Sequence, residues 1–458
     1  TTLFRSVQDV DDNVVPSVIK SSYGGGMRPS DYVLTTPGAR AGLVARSLST
    51  ALPGFLAKEV AGNMGPVRVT TKDCGTSNGV QISVKPDPSV RNQDADILDR
   101  HLLRDVPGIG KRNDTITPDM LSQLRDRGVT DVWVRTAMAC EADSPPCQMC
   151  AGRTPEGRLH DIGANIGYNY GQAVSERSTQ LTMKSFHSGG SVGSGDSLMA
   201  GFQRLRELLA APAVVKDQGS MAEETGRVTR IRPAPQGGHY VTVGAAEHYV
   251  SPGRKVTVKV GDQVAAGDRL SDGNLLPQEI AKHKGHMAAQ QYVIHEAREA
   301  YQRAGSVVRK PVLEVLAAGT MRYYEITDDG GEEDLAPGDV MHENEYNKRR
   351  KKNPRIMGHP TVQGIAKKPL ATSDDLLERL NFQRLTDSIR EAPATAGKSD
   401  LTGSKSPIPG LAFGAHFREH EHRTQAHTSP FAPQTLGPIK AAGGADEVDL
   451  TLIDWLVV

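Results

Sequence analysis

The stretch GYNYGQAVSERSTQLTMKSFHSGG, residues 167–190, decides how the centre of this chain is organised. Small and apolar residues recur through it at helical spacing, so we predict a helix over residues 161–187. The glycines and serines of SGGSVGSGDS, residues 188–197, predict a flexible loop. Residues 198–212 again have a helical pattern. The predicted unit is a helical hairpin with a mobile tip.

One face of the first predicted helix carries polar chemistry. Its members, three or four residues apart, are Gln180, Met183, Lys184 and His187. An amide can hydrogen-bond a ribose hydroxyl, and a thioether can pack on a base without reading it. An ammonium and an imidazole can contact phosphates. The face therefore suits a nucleoside triphosphate, although the residue types alone favour a polar face that is merely solvated.

The composition predicts a loop-rich, multidomain chain without a membrane segment. Its 458 residues suggest roughly three domains. Hydrophobic residues make up 37% and aromatic residues 5%, and there are 47 glycines and 28 prolines. Since 54 Lys+Arg balance 54 Asp+Glu, only local charge clusters can argue for nucleic acid. No apolar run approaches the about 20 residues of a membrane span, and the polar N-terminus predicts no signal peptide, so we expect no secretion.

The four cysteines predict a structural metal site. Cys147 and Cys150 form a C-x2-C knuckle, Cys140 precedes it, and Cys74 lies far upstream in TKDCGT. Four thiolates fill a tetrahedral zinc site and leave no open position. The alternative is one knuckle with two unrelated buried cysteines. We expect the closed Zn²⁺ site, whose role is to tie the segment around Cys74 to the knuckle.

Five segments, in order, resemble parts of one known family. TQLTMKSFHSGG, residues 179–190, resembles the trigger-loop signature of the largest (β′) subunit of multisubunit DNA-directed RNA polymerases. TPGARAGLVARSLSTALPGFLAKEV, residues 36–60, resembles its bridge helix, and TKDCGT with CEADSPPCQMCAGR resembles its four-cysteine zinc site. Residues 268–305 are similar to the segment after the trigger loop, and residues 380–416 to the C-terminal clamp base. Ordered matches over roughly residues 27–416 are far more specific than any one match.

The resemblance implies an α+β, multidomain, non-compact piece from the C-terminal half of that subunit. The expected parts are an irregular N-terminal segment (1–26), a bridge helix (27–66), a zinc-binding region (67–160), a trigger-loop helical hairpin (161–215), a β-rich sandwich-barrel or jaw-like region (216–368), a helical clamp-base segment (369–426) and a tail (427–458). Pro37 and Pro53 do not suit a helix interior, so the bridge is expected as one kinked helix or two shorter ones. VKVGDQVAAGDRLSDG also resembles a lipoyl-type half-barrel but lacks the carrier lysine, which favours a structural barrel.

The family also implies roles for single residues. In the trigger helix, Gln180 is expected near the ribose hydroxyls, while Leu181 and Met183 press on the base. Lys184 and His187 are expected to reach the triphosphate. The bridge-helix residues expected against the template and active site are Arg40, Thr50, Ala51 and Gly54.

The family's N-A-D-F-D-G-D metal-binding loop has no counterpart in these residues. The acidic run QDVDDN, residues 8–13, lacks its pattern. Phosphoryl transfer of this type needs Mg²⁺ held by carboxylates, so we expect the catalytic Mg²⁺ on a partner chain, as in the split β′ subunits of some large bacteriophages. Expected partners are an N-terminal β′-like subunit, a β-like subunit, DNA template, RNA transcript, nucleoside triphosphates and a promoter-specificity subunit. The expected location is the cytoplasm of a phage-infected prokaryotic cell, or a virion.

Two further features leave alternatives open. The run NKRRKKNPR, residues 347–355, places Lys348, Arg349 and Arg350 in a predicted loop that either contacts DNA phosphates or is simply solvated. The His-rich segment 416–427 either binds metal or is a polar tail. The competing function for the whole chain is a non-catalytic zinc- and nucleic-acid-binding module derived from a polymerase, which would tolerate changes on the polar helix face.

Overall fold

The computed structural model describes residues 19–366, with gaps at 23, 88–91, 143–144, 155, 188–194, 216 and 304–305, and farther on only 386, 389–390, 398–400 and 447–449. For 37–39, 41–42, 44–49, 179–187 and 195–200 it describes the backbone alone. The predicted N-terminal segment, clamp base and tail therefore lie almost entirely outside the described residues, as does the His-rich segment. The described part mixes helices and antiparallel strands, which agrees with the predicted α+β class.

The helices of the described part carry most of its core. They are α1 (Pro29–Met64), α2 (Gln93–Ile97), α3 (Pro118–Asp126), α4 (Gln148–Ala151), α5 (Ile166–His187), α6 (Gly195–Ala210), α7 (Pro277–Lys284), α8 (His286–Arg303), α9 (Lys310–Met321) and α10 (Glu343–Lys352). The main hydrophobic core draws buried residues from α1, α5, α6, α8 and α9 as well as from the zinc region. None of the described helices combines the length and apolar character that a membrane span requires.

The described strands form small antiparallel sheets. They are β1 (Val80–Ser83), β2 (Asp131–Val134), β3 (Gly226–Pro233), β4 (His239–Val243), β5 (Ala246–Val250), β6 (Gln263–Val264), β7 (Tyr323–Asp328), β8 (Val340–His342), β9 (Met357–Thr361), β10 (Lys398–Asp400) and β11 (Glu447–Asp449). The sheet orders are β1-β2, β5-β4-β3-β6, β8-β7-β9 and β10-β11. The four-stranded sheet has a core of its own, built from valines on alternating positions together with Leu270.

The predicted bridge segment forms one continuous helix. Helix α1 has 36 residues, about 54 Å at the standard rise, and it runs through both Pro37 and Pro53. Pro29 occupies its first turn, where the missing N–H has no helical partner to lose. Leu56, Val60 and Met64 are fully buried, and this packing holds the second half helical although a proline removes one hydrogen bond.

Helix α5 lies antiparallel to α1 at a distance that only glycine permits. A Cβ atom on Gly167 would stand 2.3 Å from the carbonyl oxygen of Met64, and a Cβ on Gly171 would stand 3.2 Å from Cγ1 of Val60. On the other side of Met64, a Cβ on Gly319 of α9 would be 3.1 Å from its sulfur. The glycines at positions 167 and 171 therefore allow α5 to pack directly against the backbone of α1.

Replacement of Gly167 by alanine is expected to lower the free energy of unfolding by about 1–3 kcal/mol, because the new methyl group meets backbone that cannot move aside. Gly54→Ala is the matched control: Gly54 is also helical but has open space around its Cβ position, so alanine there should stabilise slightly. Thermal unfolding of the two variants checks the difference. Equal melting temperatures would contradict the close packing of the two helices.

Two segments differ from what their local sequence indicates. The run VRVTT, residues 67–71, is β-like in composition but does not form a strand. Its backbone pairs with the loop before α5, where the Val69 N–H donates to the Ala164 carbonyl and the Gly163 N–H donates to the Val69 carbonyl. The basic run at 347–352 belongs to α10 rather than to a loop. Acidic residues in the first turn and basic residues in the last turn of α10 interact favourably with the helix dipole. The number of positive charges in the run did not by itself indicate a helix.

Candidate functional site

The four cysteines lie together. Their sulfur atoms are all within 4.8 Å of one another, and the Sγ atoms of Cys74 and Cys150 are 3.8 Å apart. A tetrahedral zinc site with Zn–S bonds of about 2.3 Å has sulfur separations of about 3.8 Å. Cys140 and Cys147 are fully buried, so the cluster fits a closed structural site. The geometry supports the predicted four-cysteine grouping over a knuckle with two unrelated cysteines.

Backbone hydrogen bonds bring the distant Cys74 to the knuckle. The N–H of Gln148 donates to Thr71 at 3.0 Å, and the N–H of Met149 donates to Lys72 at 3.3 Å. Within the knuckle, Cys147 caps α4, since its sulfur accepts from the N–H of Cys150 at 3.4 Å. Such N–H donors stabilise thiolates, the form in which cysteine binds metal.

A buried arginine that was not among the predicted site residues contacts the cysteine cluster. One Nη atom of Arg135 is 3.3 Å from the sulfur of Cys74 and 3.5 Å from that of Cys150. The same guanidinium pairs with Asp73 at 2.6 Å and donates to Asn113 at 2.8 Å. Burial opposes its charge, but the neighbouring Cys150 and Asp73 raise the pKa of Arg135 above its usual range. The only sequence signal was a basic residue five positions before Cys140.

The thiols also influence one another. Hydrogen bonding, first from Cys140 and then from Cys150, lowers the pKa of Cys147 to about 7. The guanidinium of Arg135 adds positive charge next to sulfurs that would carry excess negative charge once four of them bind one divalent cation. With a metal ion bound, Arg135 would orient the thiolates and offset part of their negative charge without itself being a ligand.

Replacement of Arg135 by methionine is expected to weaken zinc binding about 10- to 100-fold, as for other groups that hydrogen-bond metal ligands. Competition with a chromophoric chelator measures this, and circular dichroism checks that the variant is folded. Lys111→Met, at an exposed cation of the same region, is the control and should bind zinc as the unchanged chain does. A folded Arg135→Met chain with unchanged zinc affinity would rule out this role.

Buried ion pairs connect the zinc region to the helices. Arg100 donates two hydrogen bonds to the carboxylate of Glu314 on α9, at 2.9 and 2.7 Å, and the Thr136 hydroxyl donates to the same carboxylate at 2.7 Å. Arg322, just after α9, donates to the carbonyl of Cys140 at 2.7 Å and pairs with Glu343 at 2.7 Å. The zinc region is thus fixed to α9, which packs on the α1–α5 pair.

The base of the hairpin is firmly held by α8. The Ser178 hydroxyl lies 2.8 Å from that of Tyr301, and Tyr301 donates to the carbonyl of Val174 at 2.9 Å. Burial raises the pKa of Tyr301, which keeps the phenol protonated as a donor. On the second helix, Arg204 pairs with Glu296 at 3.2 Å and donates to Tyr292 at 2.7 Å. Both helices of the hairpin, α5 and α6, are therefore anchored to α8.

The packed side of α5 and its predicted nucleotide-facing side are opposite. At about 100° per residue, the residues that hold α5 in place lie roughly 160° around the helix from the predicted polar face. The holding residues are Gly167, Gly171, Val174 and Ser178. Helix α5 includes Gln180, Leu181, Met183, Lys184 and His187, whose side chains lie outside the described ones. Leu181 is about 100° from Gln180, toward the packed side.

The bridge residues predicted from the family are on the surface of α1. Arg40, Thr50, Ala51 and Gly54 are all exposed. The close approaches of Gly167 to Met64 and of Gly171 to Val60 define an antiparallel register. Continued along both helices, this register puts Ala51 and Thr50 level with residues 180 and 181. The two groups that the sequence predicted separately therefore lie at the same height on neighbouring helices.

The basic run on α10 is only partly available for phosphates. Arg349 contacts the carboxylates of Glu332, Asp334 and Glu345 at 2.9–3.0 Å, and hydrogen bonds, first from Asp334, raise its pKa. Arg350 lies over the ring of Tyr346. Lys348, Lys351 and Lys352 are exposed. The positive charge of Arg349 is thus balanced by carboxylates of the same chain, while the side chains of the three lysines are exposed to solvent.

Comparisons with known proteins point to one family. The family described as RNA polymerase Rpb1, domain 5, matches residues 26–233. DNA-directed RNA polymerase subunit beta' of Halalkalibacterium halodurans is 30% identical over 448 residues, which are 93% of this chain and 36% of that protein. The corresponding subunits of Bacillus subtilis and Moorella thermoacetica are 28% and 29% identical and cover 86% and 87% of this chain. The chain spans about a third of the length of these relatives.

Proposed function

Because this chain belongs to the family of the β′ subunits of DNA-directed RNA polymerase, we propose that it supplies the bridge helix and trigger loop of such an enzyme. The observation that carries the proposal is the pairing of α1 with α5. Glycines seat α5 on α1, and the positions of the predicted polar face lie about 160° around α5 from those glycines. A helix that is anchored along one side suits a group that closes over a substrate with its other side.

In this proposal α5 and the loop after it close over the incoming nucleoside triphosphate. Gln180 hydrogen-bonds the ribose hydroxyls, and Leu181 and Met183 pack on the base. Lys184 and His187 donate charge-assisted hydrogen bonds to the triphosphate. Their contribution is to position the nucleotide and to exclude water, so that charge developing in the transition state meets donors already in place.

The catalytic Mg²⁺ is proposed to be held outside these residues. The 458 residues contain no N-A-D-F-D-G-D sequence. In this proposal, which follows the family resemblance, the carboxylates that hold Mg²⁺ belong to a partner chain. Bound Mg²⁺ supplies Lewis-acid stabilisation of the transferring phosphoryl group. The family resemblance suggests β-like and N-terminal β′-like partners together with DNA template and RNA transcript.

Exposed apolar side chains on α1 support a partner on this helix. Leu43 is 67% exposed, Val33 is 66% exposed and Phe55 is 44% exposed, although they lie on an ordered helix. Large apolar side chains grouped on one exposed element commonly mark a surface that another molecule covers. In this proposal the template and the partner subunits cover it, while Arg40 provides a cation for the phosphate backbone.

Reconstitution tests the proposal. The chain alone should add no nucleotides, and the chain assembled with partners that carry the N-A-D-F-D-G-D loop should extend a primed transcript. The test variant is Gln180→Ala, which should raise the KM for ribonucleotides more than for their 2′-deoxy forms. If the assembly extends RNA equally well when Gln180, Met183 and His187 are all changed to alanine, the non-catalytic zinc- and nucleic-acid-binding alternative is the better account.

A further inference from the structure

Three buried oxygen atoms join helix α5 to helix α8. The hydroxyl oxygen of Tyr301 lies 2.8 Å from the Ser178 hydroxyl and 2.9 Å from the carbonyl oxygen of Val174. The Ser178 hydroxyl lies 3.0 Å from the same carbonyl, and all three residues are fully buried. Because Val174 and Ser178 are four residues apart, the single hydroxyl of Tyr301 contacts both ends of one turn of α5.

This turn of α5 gains support from outside the helix. The hydroxyl of Ser175 donates to the Gly171 carbonyl at 2.8 Å, and that of Ser178 approaches the Val174 carbonyl in the same way. Such bonds from serine to the carbonyl four residues earlier slightly destabilise a helix and often bend it. If the turn unwound, the buried hydroxyl of Tyr301 would lose its acceptor, and an unpaired buried hydroxyl is costly. Tyr301 therefore opposes the unwinding of a turn that its own serines weaken.

The second helix of the hairpin meets α8 at the same height. A Cβ atom on Gly201 of α6 would be 3.5 Å from the carbonyl oxygen of Ala300, the residue before Tyr301. Ser178 of α5 and Gly201 of α6 thus approach two adjacent residues of α8. Helix α5 continues for nine residues beyond Ser178, about 14 Å at the standard rise, and ends at His187. The two helices therefore share one level of attachment on α8, and the distal turns of α5 extend beyond it.

We propose that Tyr301 is a positioning residue for nucleotide addition, whose hydroxyl keeps the turn 174–178 on α8 and so places the pivot of the closing helix just after Ser178. This role rests on the proposed closure of α5 over a nucleoside triphosphate. Gln180, the first residue of the predicted nucleotide-facing side, follows Ser178 by two positions. Without the Tyr301 hydroxyl, opening spreads back into the turn 174–178, and more residues must be ordered again at each closure.

Hydrogen exchange in the assembled polymerase tests the pivot without reference to catalysis. The amides of residues 175–178 should be protected whether or not a nucleotide is bound, whereas those of residues 183–187 should gain protection when the complementary nucleotide is added. Tyr301→Phe is expected to raise the exchange rates at 175–178 about tenfold, because one hydrogen bond that holds the turn is lost. Tyr323→Phe is the control, since Tyr323 is also buried and its hydroxyl reaches a carbonyl of another helix, that of Gly319 on α9. It should leave these rates unchanged.

Single-turnover extension of a primed transcript by the same assembly tests the effect on nucleotide addition. Tyr301→Phe should lower the rate at saturating nucleotide about three- to tenfold. Ser178→Ala should slow the enzyme that retains Tyr301 but not the Tyr301→Phe enzyme, because the two hydroxyls act through one contact. Ser175→Ala is the matched control, since it removes a buried serine hydroxyl of the same helix nearer its base, and it should leave the rate unchanged. Equal slowing by Ser178→Ala in both backgrounds contradicts the shared contact.

The two measurements separate failure of the pivot from failure of the proposed function. Unchanged exchange at 175–178 in the Tyr301→Phe assembly overturns the pivot, whatever the rate of addition. Faster exchange there with an unchanged rate overturns the closing role of α5, and with it the positioning role of Tyr301. A Tyr301 that is merely structural would lower the melting temperature and leave the folded enzyme as fast as before. The expected result is that both exchange and rate change in Tyr301→Phe, that exchange is unchanged in Tyr323→Phe, and that the rate is unchanged in Ser175→Ala.

Discussion

His187→Ala in the assembled polymerase is expected to slow nucleotide addition about 10²- to 10³-fold at saturating nucleotide. This is the usual cost of removing one preorganised donor from a developing negative charge. The reason is local, since α5 ends at His187, and its described anchoring contacts, at Gly167, Gly171 and Ser178, all lie nine or more residues before that end. Single-turnover extension of a primed transcript measures the rate without interference from product release.

The control for this variant is Glu176→Ala. Glu176 is exposed and lies on the same side of α5 as His187, about 16 Å nearer the base of the helix. If the distal turns of α5 close over the nucleotide, the Glu176→Ala enzyme should extend RNA at the same rate as the enzyme without substitutions. A His187→Ala enzyme as fast as the control would remove His187 from the mechanism.

Cys147→Ser is expected to release the metal and to lower the free energy of unfolding by more than about 3 kcal/mol, because a structural zinc contributes its binding energy to folding. The loss should extend beyond the knuckle. The backbone pairs at Gln148 and Met149 hold the Cys74 segment, and Arg322 connects the carbonyl of Cys140 to Glu343 at the start of α10. Thermal unfolding together with metal analysis by mass spectrometry measures both effects.

Ser77→Ala serves as the control for the cysteine variant, since Ser77 is exposed and lies three residues from Cys74. It should keep one zinc ion per chain and an unchanged melting temperature. A zinc-free Cys147→Ser chain that unfolds at the same temperature as the control would show that the cysteine cluster is not structural. A Cys147→Ser chain that still contains zinc would show that the three remaining thiolates suffice to bind the metal.

Periodicity and ligand spacing predicted the elements that depend on local sequence. Helix α5 follows from side-chain spacing, and the four-cysteine cluster follows from the C-x2-C knuckle together with the use of every cysteine in the chain. The structure confirms the helix and the grouping of the four cysteines. The continuity of α1 was left open, because Pro53 argues against a helix locally while the burial of Leu56 and Val60 favours it. Only the folded chain shows which of the two effects is larger.

Unlike the grouping of Cys74 with the knuckle, the ion-pair partners of Arg135 and Arg349 were not predicted from the sequence. Arg135 joins the cysteine cluster only because the fold brings it to Asp73 and Cys74, which lie 62 and 61 residues earlier in the chain. Arg349 was predicted either to contact DNA phosphates or to be solvated, yet it pairs with Glu332 and Asp334 from the segment between β7 and β8. In both cases the charged residue could be identified in the sequence, but the residue with which it pairs could not. The carboxylates around Arg349 leave it less able to contact DNA.

The most direct test of the central claim is photocrosslinking of a nucleoside triphosphate that carries a reactive group on its base, in an assembled and template-engaged complex. The claim is that the distal turns of α5 close over the incoming nucleotide. We expect the nucleotide complementary to the template to label this chain between residues 180 and 187, with Met183 as the main site. A non-complementary nucleotide should label it far less. Labelling of partner chains alone, or labelling here that ignores the template, would contradict it.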